Sequence, residues 1–155
     1  MRREGFVLKK GVLLGLILLM AACFLSAAAE AHSYEMVNGV ACWHGNLNFP
    51  FWDSGNSVGD FWDVGSAYRT ENSNERLLVT ILSYSTAYER NPNGEGFEEK
   101  VYPSKVMFLY EDKRSGQLYY SYDKKNWTEV KKDSLEYRVY FNNAYYLVKH
   151  HLGLG

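Results

Sequence analysis

The chain has 155 residues, 23% of them charged and 16% aromatic, with a formal net charge of −1 at neutral pH. Charges of both signs are interspersed and no basic stripe appears, which excludes nucleic acid as an expected partner. Only two cysteines are present, which excludes a disulfide-stapled scaffold.

The first segment is an address. Arg2, Arg3, Lys9 and Lys10 precede an almost wholly apolar run from Gly11 to Leu25, and Ser26-Ala-Ala-Ala-Glu-Ala-His32 supplies small residues. Basic, apolar, then small is the order of an export signal, and the apolar run is short of the about 20 residues that span a bilayer. Residues 1–31 are therefore read as a signal peptide cut after Ala31, with Ala29 one step earlier as a second small-residue site. Met20-Ala-Ala-Cys23 resembles a bacterial lipobox, and a lipid on Cys23 would anchor the protein instead. The continuation of apolar and small residues from Phe24 to Ala29 favours removal. Arg2-Arg3 with Phe6 also resembles a twin-arginine signal, with the Phe one place late; a basic leader is the simpler reading. The expected location is secreted or periplasmic, with lipid anchoring as the alternative.

Cutting after Ala31 leaves 124 residues with 13 basic and 16 acidic side chains, a net charge of −3. That is the size of one domain, residues 32–155, with no transmembrane segment after the signal. Cys42 is then the lone cysteine, which reads as a buried small apolar residue. All 13 Tyr and all four Trp lie beyond residue 31, and such aromatic enrichment favours sheet over a helical bundle.

In chain order, Met36 to Trp43 reads as a first strand with Gly39 as a bulge. Gly45 to Gly59 reads as a loop carrying Phe49, Pro50, Phe51 and Trp52. Asp60 to Arg69 reads as a strand and Glu71 to Glu75 as a polar turn. Arg76 to Tyr88 has the strongest strand pattern, with Val79, Ile81 and Ser83 on one face and Leu78, Thr80 and Leu82 on the other, which places it centrally in the sheet. Asn91 to Gly96 breaks the pattern. Lys105 to Glu111, Gln117 to Tyr122 and Trp127 to Val130 form a meander with turns at Asp112–Gly116 and Asp123–Asn126.

Asp133 to Leu152 has two readings. As a helix, Asp133 caps, Glu136 completes a capping box, and Tyr137, Tyr140, Phe141, Ala144, Leu147, Val148 and His151 share a stripe ended by Gly153. As a hairpin, Tyr137, Val139 and Phe141 alternate and Asn142-Asn143 turns. The helix is favoured beyond Ala144, and residues 133–141 stay open.

No catalytic residue, cofactor or metal site is assigned. Cys42 and His44 share a strand face and have the types of a nucleophile pair, but no orienting group is legible. His150-His151 diverge on a helix and read as basic residues at a helix C-terminus. The acidic loop from Asp53 to Asp60 has calcium-type donors without the ligand spacing of a calcium loop. Asn126-Trp-Thr128 is a glycosylation sequon only in a eukaryotic secretory pathway. Phe49, Phe51, Trp52, Phe61 and Trp62 crowd around a flexible loop; core packing accounts for most of them, and Phe49, Phe51 and Trp52, with Trp62 beyond, are the candidate binding residues where exposed, since such aromatics suit a protein or carbohydrate ligand. Ser121 to Trp127 resembles a shortened Asp-box hairpin, a structural turn to which no activity is assigned.

Asp60-Phe-Trp-Asp-Val-Gly-Ser66, the run Leu77 to Ser83, Phe108-Leu-Tyr110, the isolated Trp127 and the tail Ala144 to Gly153 follow one another as in a class of small exported bacterial proteins. Some of these resemble the surface-adhesin protein E family. The resemblance covers about two-thirds of the chain after the signal and implies an antiparallel sheet packed by a C-terminal helix, and a part in surface binding. It carries no functional residue across. The expected fold is α+β: a twisted antiparallel sheet of five or six strands with a C-terminal helix on one face. The expected role is an exported, non-enzymatic binding or envelope-interaction protein. The alternatives are a small hydrolase using Cys42 and His44, or a protein anchored through Cys23; oligomeric state stays open.

Overall fold

The computed structural model describes residues 34–55, 58–94 and 96–154. These belong to the compact unit His32–Gly155; the export signal and the Cys23 lipobox lie outside the described residues. Strands β1 (Tyr34–Val37) and β2 (Val40–Trp43) pair as an antiparallel hairpin. Asn38 (φ 52°) and Gly39 (φ 81°) form its two-residue loop. Asn and Gly tolerate positive φ at both central positions, the geometry that lets a tight turn follow the strand twist. The single bulged strand expected over this segment is thus two strands, and Gly39 is their turn.

The main sheet contains β3 (Phe51–Gly55), β4 (Val58–Asn72), β5 (Arg76–Arg90), β6 (Phe97–Val101), β7 (Lys105–Asp112), β8 (Gln117–Ser121) and β9 (Thr128–Glu129). It is seven-stranded and antiparallel, ordered β3-β4-β5-β7-β8-β9. β5 is its spine. One side pairs with β4; the other divides, Arg76–Ser83 pairing with β7 and Thr86–Arg90 with β6. The α+β class with an antiparallel sheet and a C-terminal helix is as expected. The strand count exceeds five or six because β3 lies in the Gly- and Asn-rich segment read as loop, and the five-residue β6, Phe-Glu-Glu-Lys-Val, is too charged to read as a strand.

β4 does not run straight. Its register with β5 shifts between Asp63 and Tyr68, where Ser66 Oγ accepts the Leu82 N–H (2.9 Å) and donates to the Asp63 carbonyl (2.6 Å). A bulge bends its strand and increases the local twist; Ser66 replaces the ladder bonds lost there. The sheet curls into a half-barrel.

Tyr137–Phe141 forms a π-helical turn that runs into α1 (Asn142–His151). Residues 133–141 are therefore not a hairpin. The cap is also displaced by one residue: Ser134 Oγ accepts the Tyr137 N–H at 3.1 Å. At the other end Gly153 (φ 67°) closes a Schellman turn, with Leu154 N–H on the Lys149 carbonyl (2.8 Å) and Gly153 N–H on that of His150 (3.0 Å).

Phe141, Ala144, Tyr145 and Val148 bury the helix stripe against Trp62, Leu77, Val79, Ile81, Met107, Leu109 and Leu118. The two central indoles stack at 5.7 Å, and Phe141 meets Trp62 edge-on at 5.1 Å. Their N–H groups are satisfied inside, Trp52 on Ser83 Oγ (3.1 Å) and Trp62 on Met107 Sδ (3.2 Å). A second cluster holds Ala41, Phe51 and Phe61 with Tyr34, Trp43, Phe49, Tyr84 and Tyr140. In it Trp43, Phe61 and Tyr84 stack nearly parallel at 5.1 and 5.4 Å.

Candidate functional site

The aromatic segment that reads as a flexible contact loop is a packed element. Phe51, Trp52 and Trp62 are 2%, 4% and 0% exposed, and Phe49 is half-buried between Trp43 and Phe61. The reason is β3 itself: a strand sends Phe51 into the second cluster and Trp52 into the first. Gly59 opposite permits this, since a Cβ there would overlap the Phe51 ring. The structure thus places Phe51, Trp52 and Trp62 in the two cores, as core packing of these aromatics implies, and leaves Phe49 half-buried against the second.

Cys42 and His44 are not brought together as a pair. β2 ends at Trp43 and His44 adopts φ 46°, so the strand alternation that would align the two stops before the second residue. Cys42 is buried, its thiol 3.5 Å from the Val40 carbonyl, and burial pushes its pKa up to about 11. A thiol held protonated at neutral pH is a poor nucleophile. His44 Nε2 instead lies 2.8 Å from Glu99 Oε2, and Trp43 Nε1 donates to Glu99 Oε1 at 2.7 Å. This joins the β1–β2 hairpin to β6.

Asp53 and Asp60 face each other across β3 and β4, and residues 56–57 of this acidic segment lie outside the described residues. Burial raises the Asp60 carboxyl above its ordinary value, opposed by a hydrogen bond from Ser85 and by the charge of Lys105. Among the described residues no group of three His, Cys, Asp or Glu is placed to hold a metal.

The shortened Asp-box segment forms a hydrogen-bonded turn. Asp123 accepts the N–H groups of Lys125 and Asn126 at 2.8 Å, the Asn126 amide at 2.7 Å and the Ser121 hydroxyl at 3.0 Å. Lys124 takes the left-handed position at φ 61°. The converging donors hold the Asp123 carboxyl well below the usual carboxylate range, the two backbone amides contributing most. The turn delivers Trp127 to the sheet face opposite the helix.

On that face, register aligns Glu71 (β4), Leu78 (β5), Tyr110 (β7) and Tyr119 (β8) in one row across four strands. Trp127 closes the row edge-on to Tyr110 at 5.8 Å, and Tyr110 lies 5.6 Å from Tyr119. Arg76 Nε donates to Glu71 Oε1 at 2.5 Å at the opposite rim. These six residues line an open groove of about 350 Å³. Trp127 is 37% exposed, and Leu78, Tyr110 and Tyr119 are half-buried. No hydrogen bond within the described residues engages Trp127 Nε1 or the Tyr110 and Tyr119 hydroxyls. The sequence signal was present as apolar residues on both faces of the β5, β7 and β8 strands, but one chain does not say which face the helix takes.

No family model, curated protein or solved structure matches the chain.

Proposed function

We propose that the protein is exported and acts, without catalysing a reaction, as a binding protein of the cell envelope whose contact surface is the Trp127–Tyr110–Tyr119 groove. The carrying observation is a partly exposed aromatic row on the sheet face opposite the helix, with hydrogen-bond donors left unspent within the described residues. Aromatic and Arg side chains dominate binding hot spots, and a sheet face presents them with little ordering cost. The basic, apolar and small segments of residues 1–31 support export. The resemblance to surface-binding proteins from Asp60 onward agrees with this role, although it assigns no residue. The low reactivity expected of Cys42 speaks against the Cys42–His44 hydrolase reading. Intact mass of the N-terminus separates release after Ala31 from lipidation at Cys23.

The test is co-sedimentation of the protein with washed bacterial envelopes, comparing the native sequence with Trp127→Ala. Binding that falls about ten-fold or more in the variant supports the groove, the size expected for one lost aromatic anchor. Equal sedimentation of both proteins, or none of either, overturns it.

A further inference from the structure

We infer that the groove binds a neutral saccharide, a deepening that rests on the binding-protein reading above. Three features select this ligand. The first is the floor. An aromatic face carries partial negative charge and an apolar surface, which matches the C–H face of a pyranose ring, whose polar groups project from its rim. Trp127, Tyr110 and Tyr119 supply such surface side by side, with Leu78 beneath.

The second is the rim. Glu71 is an acceptor only and Arg76 a donor only, and their 2.5 Å bond fixes them as neighbours. Only Nε of Arg76 is used in that bond, so its terminal nitrogens keep their donors. Neighbouring hydroxyls of a sugar, each both donor and acceptor, are suited to such an adjacent pair. The phenol and indole donors of the floor add three more polar contacts.

The third is charge. Glu71 and Arg76 neutralise each other, which leaves no net charge to recruit a phosphate or carboxylate. Two cations beside this rim are committed: Lys113 bonds Asn72 and the Ser73 carbonyl, and Arg114 pairs with Glu75. A nucleotide or acidic peptide would find no free cation among these. The volume, about 350 Å³, lies at the small end of ligand sites and matches a short stretch of sugar chain.

The experiment is a calorimetric and NMR titration of the protein with chitotetraose, cellotetraose and maltotetraose, and with oligogalacturonate as the charged control. At least one neutral tetrasaccharide is expected to bind and to shift the Trp127 indole resonance, with weaker or no binding of the charged control. Trp127→Ala and Arg76→Ala should each weaken that binding about ten-fold or more, Trp127→Phe should retain most of it, and Tyr146→Ala, an exposed aromatic on the helix, should leave it unchanged. Far-UV circular dichroism checks that each variant is folded. Preference for the charged control, no response to any neutral sugar, or binding indifferent to Trp127→Ala overturns the inference. If sugars fail while envelope sedimentation still depends on Trp127, the saccharide class falls and the binding reading stands. If sedimentation is also indifferent to Trp127, both fall.

Discussion

Phe61 and Trp62 are neighbours in the chain and lie in different cores, because successive side chains of β4 point to opposite faces. The same parity separates Phe51 from Trp52. Asp60 to Arg69 reads as a strand, so the parity of Phe61 and Trp62 is available from the sequence, whereas that of Phe51 and Trp52 depends on β3, whose Gly- and Asn-rich surroundings read as loop. Cys42 makes the complementary case, since its burial was legible from its type and solitude alone. It has a consequence at this scale. With its thiol buried and its pKa raised to about 11, Cys42 in the folded protein should resist alkylation at pH 7.5 and react fully in denaturant. Peptide mapping by mass spectrometry reads this at Cys42 independently of Cys23. Rapid labelling of the native protein at Cys42 would show that the hairpin opens or that the thiol is activated.

Elements were legible where local chemistry is strong. β5, β7 and β8 follow from alternation, and Gly153 marks the helix end because only a residue at ease with φ 67° closes that turn. The Asn38-Gly39 turn was equally legible in principle, yet its flanking strands are four residues each, too short for alternation to stand out. β3 and β6 were not, since both are held by a partner strand rather than by their own pattern. The candidate groove belongs to this scale as well: its aromatic residues were visible, but the row exists only through register across four strands. The turn from Ser121 to Trp127 positions one end of it, which gives a pH prediction. The Asp123 carboxyl is depressed in the folded protein, so its stabilising effect is present above its ordinary value of 3.8 and is lost as pH falls below that toward the folded value. Asp123→Ala should therefore lower the melting temperature at pH 7, and the gap from the native sequence should shrink progressively below about pH 4. A gap independent of pH from 7 to 2 would assign the effect to packing instead.

Within the described residues of the unit His32–Gly155, the helix packs on one face of the sheet and the β1–β2 hairpin on the Phe51–Phe61 cluster, while the Trp127 groove is open. That division separates the candidate groove from the main core, so a groove variant is expected to keep its fold. The hairpin consists of two four-residue strands outside the main sheet. Its attachment combines the Cys42–Pro50 bridge, the Asn143 amide on the Gly39 carbonyl (3.1 Å), the stacked rings of Trp43, Phe61 and Tyr84, and Glu99, which accepts from Trp43 Nε1 at 2.7 Å and meets His44 Nε2 at 2.8 Å. The Glu99 side chain is 17% exposed, so these bonds are shielded from water better than ordinary surface pairs. Hydrogen bonds to a charged group contribute roughly 1.5–3 kcal/mol each at most, and the half-exposed His44 takes the lower share. Glu99→Ala should thus destabilise the protein by about 1–3 kcal/mol in urea unfolding. Because β5 pairs with β4 and β7 independently of Glu99, the loss should be local. Amide exchange is expected to accelerate over residues 34–43 and to stay slow over Leu77–Leu82. Uniform acceleration through both segments would mean that the hairpin and the main sheet unfold as one cooperative unit.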